Sequence, residues 1–106
     1  MQSPRRRTLP LLAAASLLAV QLAGCAGLPA QEMSNARQAV QAARKAGADK
    51  YAPTEMAEAD RLLKSATANV RKGEYRAARD EAELAREKAT EARRLAEAAK
   101  TSKPDS

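Results

Sequence analysis

The sequence predicts an all-α fold: an antiparallel helical hairpin or small three-helix bundle with alanine-rich, coiled-coil-like seams, preceded by a signal-peptide helix. Three observations carry that reading. From Gln31 onward apolar residues recur at alternating spacings of three and four, the repeat of one helix face. Alanine, the strongest helix former, dominates the same stretch. Gly47, Pro53 and Gly73 stand where the repeat stops and restarts, as helix punctuation should. With 106 residues the chain suits one small domain at most.

The first element, residues 1–24, stands apart from the bundle. MQSPRRRTLPLLAAASLLAVQLAGC opens with Arg5, Arg6 and Arg7, continues as an apolar run from Leu9 to Val20, and closes on small residues before Cys25. A basic start stays cytoplasmic while the apolar run enters the translocon. The run is too short for a membrane span, which needs about 20 residues. Its ending resembles the lipobox of bacterial lipoproteins: an aliphatic residue, a small one, Gly or Ala, then Cys. Leu22, Ala23, Gly24 and Cys25 match at every position.

That resemblance implies a lipoprotein signal peptide. A diacylglycerol is joined to the Cys25 sulfur, a signal peptidase that recognises Leu22, Ala23 and Gly24 cuts before Cys25, and the new amino group is acylated. A thiolate is the nucleophile that thioether formation needs, which accounts for the lone cysteine of the chain. In Gram-negative lipoproteins an Asp after the lipidated Cys favours inner-membrane retention. Ala26 stands there instead, so the implied destination is the periplasmic face of the outer membrane. RRRTL also resembles a twin-arginine export signal, so the Sec and twin-arginine routes both stay open.

Residues 25–30 form the lipidated Cys and a short tether, with Gly and Pro and no periodicity. A first helix is expected over about 31–46, with the seam Met33, Ala36, Val40, Ala43 and Gly47 as its stop. GADKYAP is the connection, with Thr54 as N-cap of the next helix. That second helix is expected over about 54–72, on the seam Met56, Ala59, Leu63, Ala66, Val70. Arg71 and Lys72 complement the dipole in its last turn, and Gly73 ends it. A third helix, about 74–101, has the unbroken seam Tyr75, Ala78, Ala82, Ala85, Ala89, Ala92, Ala96, Ala99, and charged faces with Arg76–Asp80, Arg79–Glu83 and Arg93–Glu97 four apart. Residues 102–106 are a disordered tail. The first two helices also align as a weak repeat, each opening Glu-Met; chance self-alignment of alanine-rich helices explains this equally well.

Gly73 alone separates the second and third helices, so a tight antiparallel turn should pair Val70 with Ala78, Ala66 with Ala82 and Met56 with Ala92. Alanine along the third helix lets the axes approach to about 8 Å. The third helix outruns the second, and its seam should be left partly uncovered at Ala92, Leu95, Ala96 and Ala99. Those four residues are the expected face for a protein partner or a second copy.

With these residues in view, ARQAVQAARKAGADKYAPTEMAEADRLLKSA and GEYRAARDEAELAREKA resemble a family of small alanine-rich helical domains of unknown function. They occur in Gram-negative envelope lipoproteins, sometimes before an OmpA-like peptidoglycan-binding domain. The pattern includes Gly47-Ala48, Tyr51-Ala52-Pro53, Ala59, Leu62 and Gly73-x-Tyr75-x-x-Ala78, and covers about residues 36–99. It implies a helical domain in the cell envelope and no known activity.

Composition narrows the chemistry. There is no His and one Cys, so zinc sites and Ser-His or Cys-His dyads lack their members. The net charge is +6, and setting aside Arg5, Arg6 and Arg7 leaves +3, spread among acids. Nucleic-acid binding is therefore not expected. Glu83, Glu87 and Glu91 share a face and read as solvated rather than cation-binding; Tyr51 and Tyr75 read as packing residues rather than glycan platforms. No enzyme, catalytic residue, metal or cofactor is expected beyond the covalent lipid on Cys25.

The expected function is that of a lipid-anchored periplasmic envelope protein, structural or adaptor-like, presenting helix faces to a partner. An alternative resembles the major outer-membrane lipoproteins, long trimeric coils that associate with peptidoglycan and attach through a C-terminal lysine. Lys100 and Lys103 lie near the end, but Pro104-Asp105-Ser106 follows, and Gly47 and Gly73 interrupt the continuous helix that such proteins use.

Overall fold

The computed structural model describes residues 27–102. They are all helical apart from turns, with α1 at Ala30–Lys45, a single turn α2 at Ala48–Tyr51, α3 at Pro53–Arg71 and α4 at Tyr75–Ser102. The expected signal peptide, residues 1–24, with Cys25, Ala26 and the residues from 103 onward, lies outside the described residues.

Each boundary has a local cause. α1 has Glu32 in its first turn and Arg44 and Lys45 in its last, matching the helix dipole at both ends. It stops at Gly47, whose φ of 90° is cheap only for glycine. The connection is more ordered than its composition suggests: Lys50 and Tyr51 N–H both bond to the Gly47 carbonyl, and Ala52 N–H bonds to that of Ala48. Ala52, at φ −143°, breaks the turn, and α3 begins directly at Pro53. Thr54 is therefore inside α3 and not its cap, because the fixed φ of proline already suits the first helical position.

α3 ends in a Schellman motif. Glu74 N–H bonds to the Asn69 carbonyl at 2.8 Å and Gly73 N–H to that of Val70 at 3.1 Å, with Gly73 at φ 78°. The chain reverses there into α4. Both glycines fold the helices back, so residues 30–102 do not form one long continuous helix.

Two clusters show how the helices align. Met33 and Ala36 of α1 meet Leu62 and Ala66 of α3 and Ala82 and Ala85 of α4. Further along, Val40 and Ala43 meet Met56 and Ala59, and Ala89, Ala92 and Ala96. α1 and α4 therefore run parallel, with α3 antiparallel to both: a three-helix bundle. The α1 seam is as expected, with Met33, Ala36, Val40 and Ala43 all buried, and α4 buries Ala78 through Ala96 on its expected repeat.

α3 departs from its single seam. Leu62 is buried and Leu63 and Val70 only partly so. A helix touching one neighbour needs one stripe; α3 touches two, and its apolar face widens to admit Leu62.

The expected partly uncovered end of α4 is corrected at Ala92 and Ala96. Ala92 and Ala96 are fully buried, packed with Ala48 and Ala52, while Leu95 and Ala99 are half-buried. The α2 turn folds across the far end of α4, held by the Gly47 geometry. Ala92 and Ala96 are thus core of this chain, while Leu95 and Ala99 stay only partly covered.

Candidate functional site

The expected lipidation residue Cys25, the expected recognition residues Leu22, Ala23 and Gly24, and the expected sorting residue Ala26 lie outside the described residues. The structure does place the segment that follows them. Gly27 lies against Tyr75, close enough that an added Cβ would sit 3.7 Å from Tyr75 Cδ2. Pro29 is fully buried and starts α1 by accepting the Met33 N–H at 3.0 Å. The tether thus joins the bundle at the Gly73 turn.

That end has a distinct surface. A groove of about 300 Å³ runs between the start of α1 and the end of α3, lined on its apolar side by Leu28, Pro29, Met33 and Val70, with Arg37 and Arg71 beside it. Three large hydrophobic side chains are exposed among the described residues, and two of them, Leu28 at 47% and Tyr75 at 38%, are here. The third, Leu84 at 44%, is midway along α4. Arg71, Lys72, Glu74 and Arg76 crowd the turn and are exposed. None of these four is in an ion pair among the described residues. The N-termini of α1 and α4 both open toward this end, and α4 has no acid in its first turn.

At the opposite end an ion-pair network joins three helices, with Lys45, Lys50 and Lys100 exposed around it. Arg44 bridges Asp49 at 3.0 Å and Asp60 at 2.7 Å, tying α1 to α2 and α3. Its hydrogen bond to Asp49 is the main cause holding the guanidinium above its ordinary pKa; partial burial opposes that, and Asp60 adds to it. The Tyr51 ring lies over Gly47 beside the Lys100 stem, with Lys50 Nζ 5.2 Å from the ring centroid. Tyr51 is therefore half-buried packing, as its sequence context implied, whereas Tyr75 is exposed.

Between the ends, polar contacts join the helices. Glu81 of α4 accepts hydrogen bonds from Ser65, at 2.5 Å, and Asn69 of α3. Arg79 reaches Glu32 at 3.7 Å, and Arg93–Glu97 forms the expected four-apart pair at 3.5 Å. Glu58 is held below the usual carboxylate range chiefly by its hydrogen bond from Arg61. Within the Glu83, Glu87 and Glu91 face, Glu91 lies 3.9 Å from Lys88. Among the described residues no group of three His, Cys, Asp or Glu is arranged to hold a metal ion, and no polar or charged residue is buried. No described helix is long and apolar enough to cross a membrane. This arrangement presents a surface that is apolar and basic at the Gly73 end.

Sequence reasoning assigned Tyr75 to the α4 seam and left Leu28 in the tether. The signal available was position: the last seam residue before a turn has no helix beyond it to cover it.

The family model of a domain of unknown function, DUF4398, matches residues 31–103. Comparison with curated proteins and with solved structures returned no match.

Proposed function

Because this chain belongs to the DUF4398 family, whose function is unknown, its role has to be read from its own residues, and we propose that it is a lipid-anchored protein of the Gram-negative envelope. It sits on the periplasmic face of the outer membrane and acts as a non-enzymatic structural or interaction module. One observation carries this reading: the complete lipobox Leu22-Ala23-Gly24-Cys25 stands immediately before a folded helical bundle, after a basic and apolar leader. Ala26 after the cysteine supports the outer-membrane destination. Two or three acyl chains make anchoring stable where one would hold only weakly, since each buried CH₂ contributes about 0.8 kcal/mol.

Cys25→Ala tests it. The variant should carry no lipid and remain in the membrane as uncut precursor, whereas the parent should show acyl mass on an N-terminal cysteine. A parent protein with the same mature start and no lipid by mass spectrometry refutes the anchor.

A further inference from the structure

We propose that the Gly73 end of the bundle is a membrane-seating surface, whose occupant is the anionic phospholipid headgroup layer into which Cys25 is anchored. The inference rests on the lipid-anchored reading above and adds which face of the domain meets the bilayer, and through which residues.

Reach comes first. Gly27 follows Cys25 by two positions, so the bundle starts within about 7 Å of the anchored residue even with the backbone fully extended. Gly27 lies against Tyr75, so the Gly73 turn is held at the surface.

The chemistry of that end fits a headgroup layer. Arg71, Lys72 and Arg76 outnumber Glu74, and none of the three cations is in an ion pair among the described residues. Leu28 and Tyr75 stand exposed beside them. An aliphatic and a tyrosine at the rim of a basic cluster are the residues that settle at the boundary of headgroups and acyl chains. At the far end Arg44 is committed to Asp49 and Asp60, and Tyr51 is packed on Gly47. Lys45, Lys50 and Lys100 are exposed at the far end too, so the two ends differ in their apolar groups: among the described residues no large hydrophobic side chain is exposed at the far end, whereas Leu28 and Tyr75 are exposed beside the cations of the Gly73 end.

The chain contains no tryptophan, which permits single-tryptophan probes. The exposed Tyr75 and Ser102 mark the two ends. Full-length Tyr75→Trp and Ser102→Trp proteins are expressed, processed and reconstituted in vesicles of phosphatidylglycerol and phosphatidylethanolamine containing brominated acyl chains. Mass spectrometry of each preparation reads the anchor, and helical circular dichroism reads folding. The Tyr75→Trp protein should be strongly quenched and the Ser102→Trp protein scarcely at all. Adding Arg71→Gln, Lys72→Gln and Arg76→Gln to Tyr75→Trp should remove most of its quenching, as should replacing phosphatidylglycerol by neutral phosphatidylcholine. The basis is that each basic residue near an anionic surface is worth about fivefold in partition. Acylated protein with quenching confined to Ser102→Trp, or absent from both variants, overturns the seating and leaves the anchor standing. An unacylated mass overturns the anchor and the seating with it. Shielding of the Tyr75→Trp indole without bromolipid quenching, with a doubled mass in sedimentation, assigns the surface to a second copy and also overturns the seating.

Discussion

Gly47 and Gly73 occupy equivalent places after a helix end, at φ 90° and 78°, but their surroundings differ. A Cβ added at Gly73 meets nothing within 4 Å; one added at Gly47 would lie 3.3 Å from Tyr51 Cδ2 and 3.4 Å from Lys100 Cε. Substitution by alanine therefore separates backbone strain from crowding. The left-handed conformation costs a residue with a Cβ about 1–2 kcal/mol, of which the stiffer unfolded chain returns a part. Gly73→Ala should thus destabilise by about 1 kcal/mol, all of it conformational. Gly47→Ala carries the same cost and must also displace the Tyr51 ring, which covers α4 at its far end, giving about 1.5–2 kcal/mol. Gly73→Asn should cost less than Gly73→Ala, since asparagine tolerates positive φ. The assay is thermal unfolding followed by circular dichroism, in which about 1 kcal/mol shifts the midpoint of a domain this size by about 4–8 °C. An unchanged melt for Gly73→Ala would mean that the reversal between α3 and α4 does not need a left-handed residue. A milder effect at Gly47 than at Gly73 would refute the crowding.

Met56 is the largest fully buried side chain of the core, and Met56→Ala should cost about 2–5 kcal/mol in urea unfolding; a loss under about 1 kcal/mol would show that the alanine-lined site collapses around it. Ala89 is fully buried where all three helices meet, so Ala89→Leu should destabilise by about 1–3 kcal/mol or more by forcing the axes apart, and a stabilised variant would contradict close packing. Glu58 has its pKa lowered in the folded state, chiefly by the Arg61 hydrogen bond. Its contribution is therefore present above the ordinary carboxylate pKa and is lost as pH falls through the lowered value. Glu58→Gln should flatten the acid limb of the stability profile slightly, as expected of an exposed pair, and an acid limb identical to the parent's would remove that contribution.

The three long helices and most of their buried positions were legible because a helix must satisfy its own period before it meets anything else. The spacing of Met33, Ala36, Val40 and Ala43, and of Ala78 through Ala96, marks buried stripes whatever lies opposite. Gly47 and Gly73 were legible as stops because left-handed geometry is a property of one residue and its neighbours. The α2 turn was less so: GADKYAP has the composition of a loop, and its helical turn is held by bonds to the Gly47 carbonyl and by the packing of Ala48 and Ala52 on α4. The resemblance to a lipobox is read from residues 22–25 alone, which lie outside the described residues.

The sequence by itself determined the three long helices, the main apolar stripe of each and the turn glycines, all of which follow from local backbone preference and periodicity. Tertiary structure alone decided that α3 is flanked on two sides, which buries Leu62 and leaves Leu63 and Val70 partly exposed. It also decided that the α2 turn closes over Ala92 and Ala96, and that Leu28 and Tyr75 stand exposed at the tether end beside Arg71, Lys72 and Arg76. These are relations between segments far apart in the chain. A period says that a face is apolar, but which neighbour covers it depends on where the turns send the next helix.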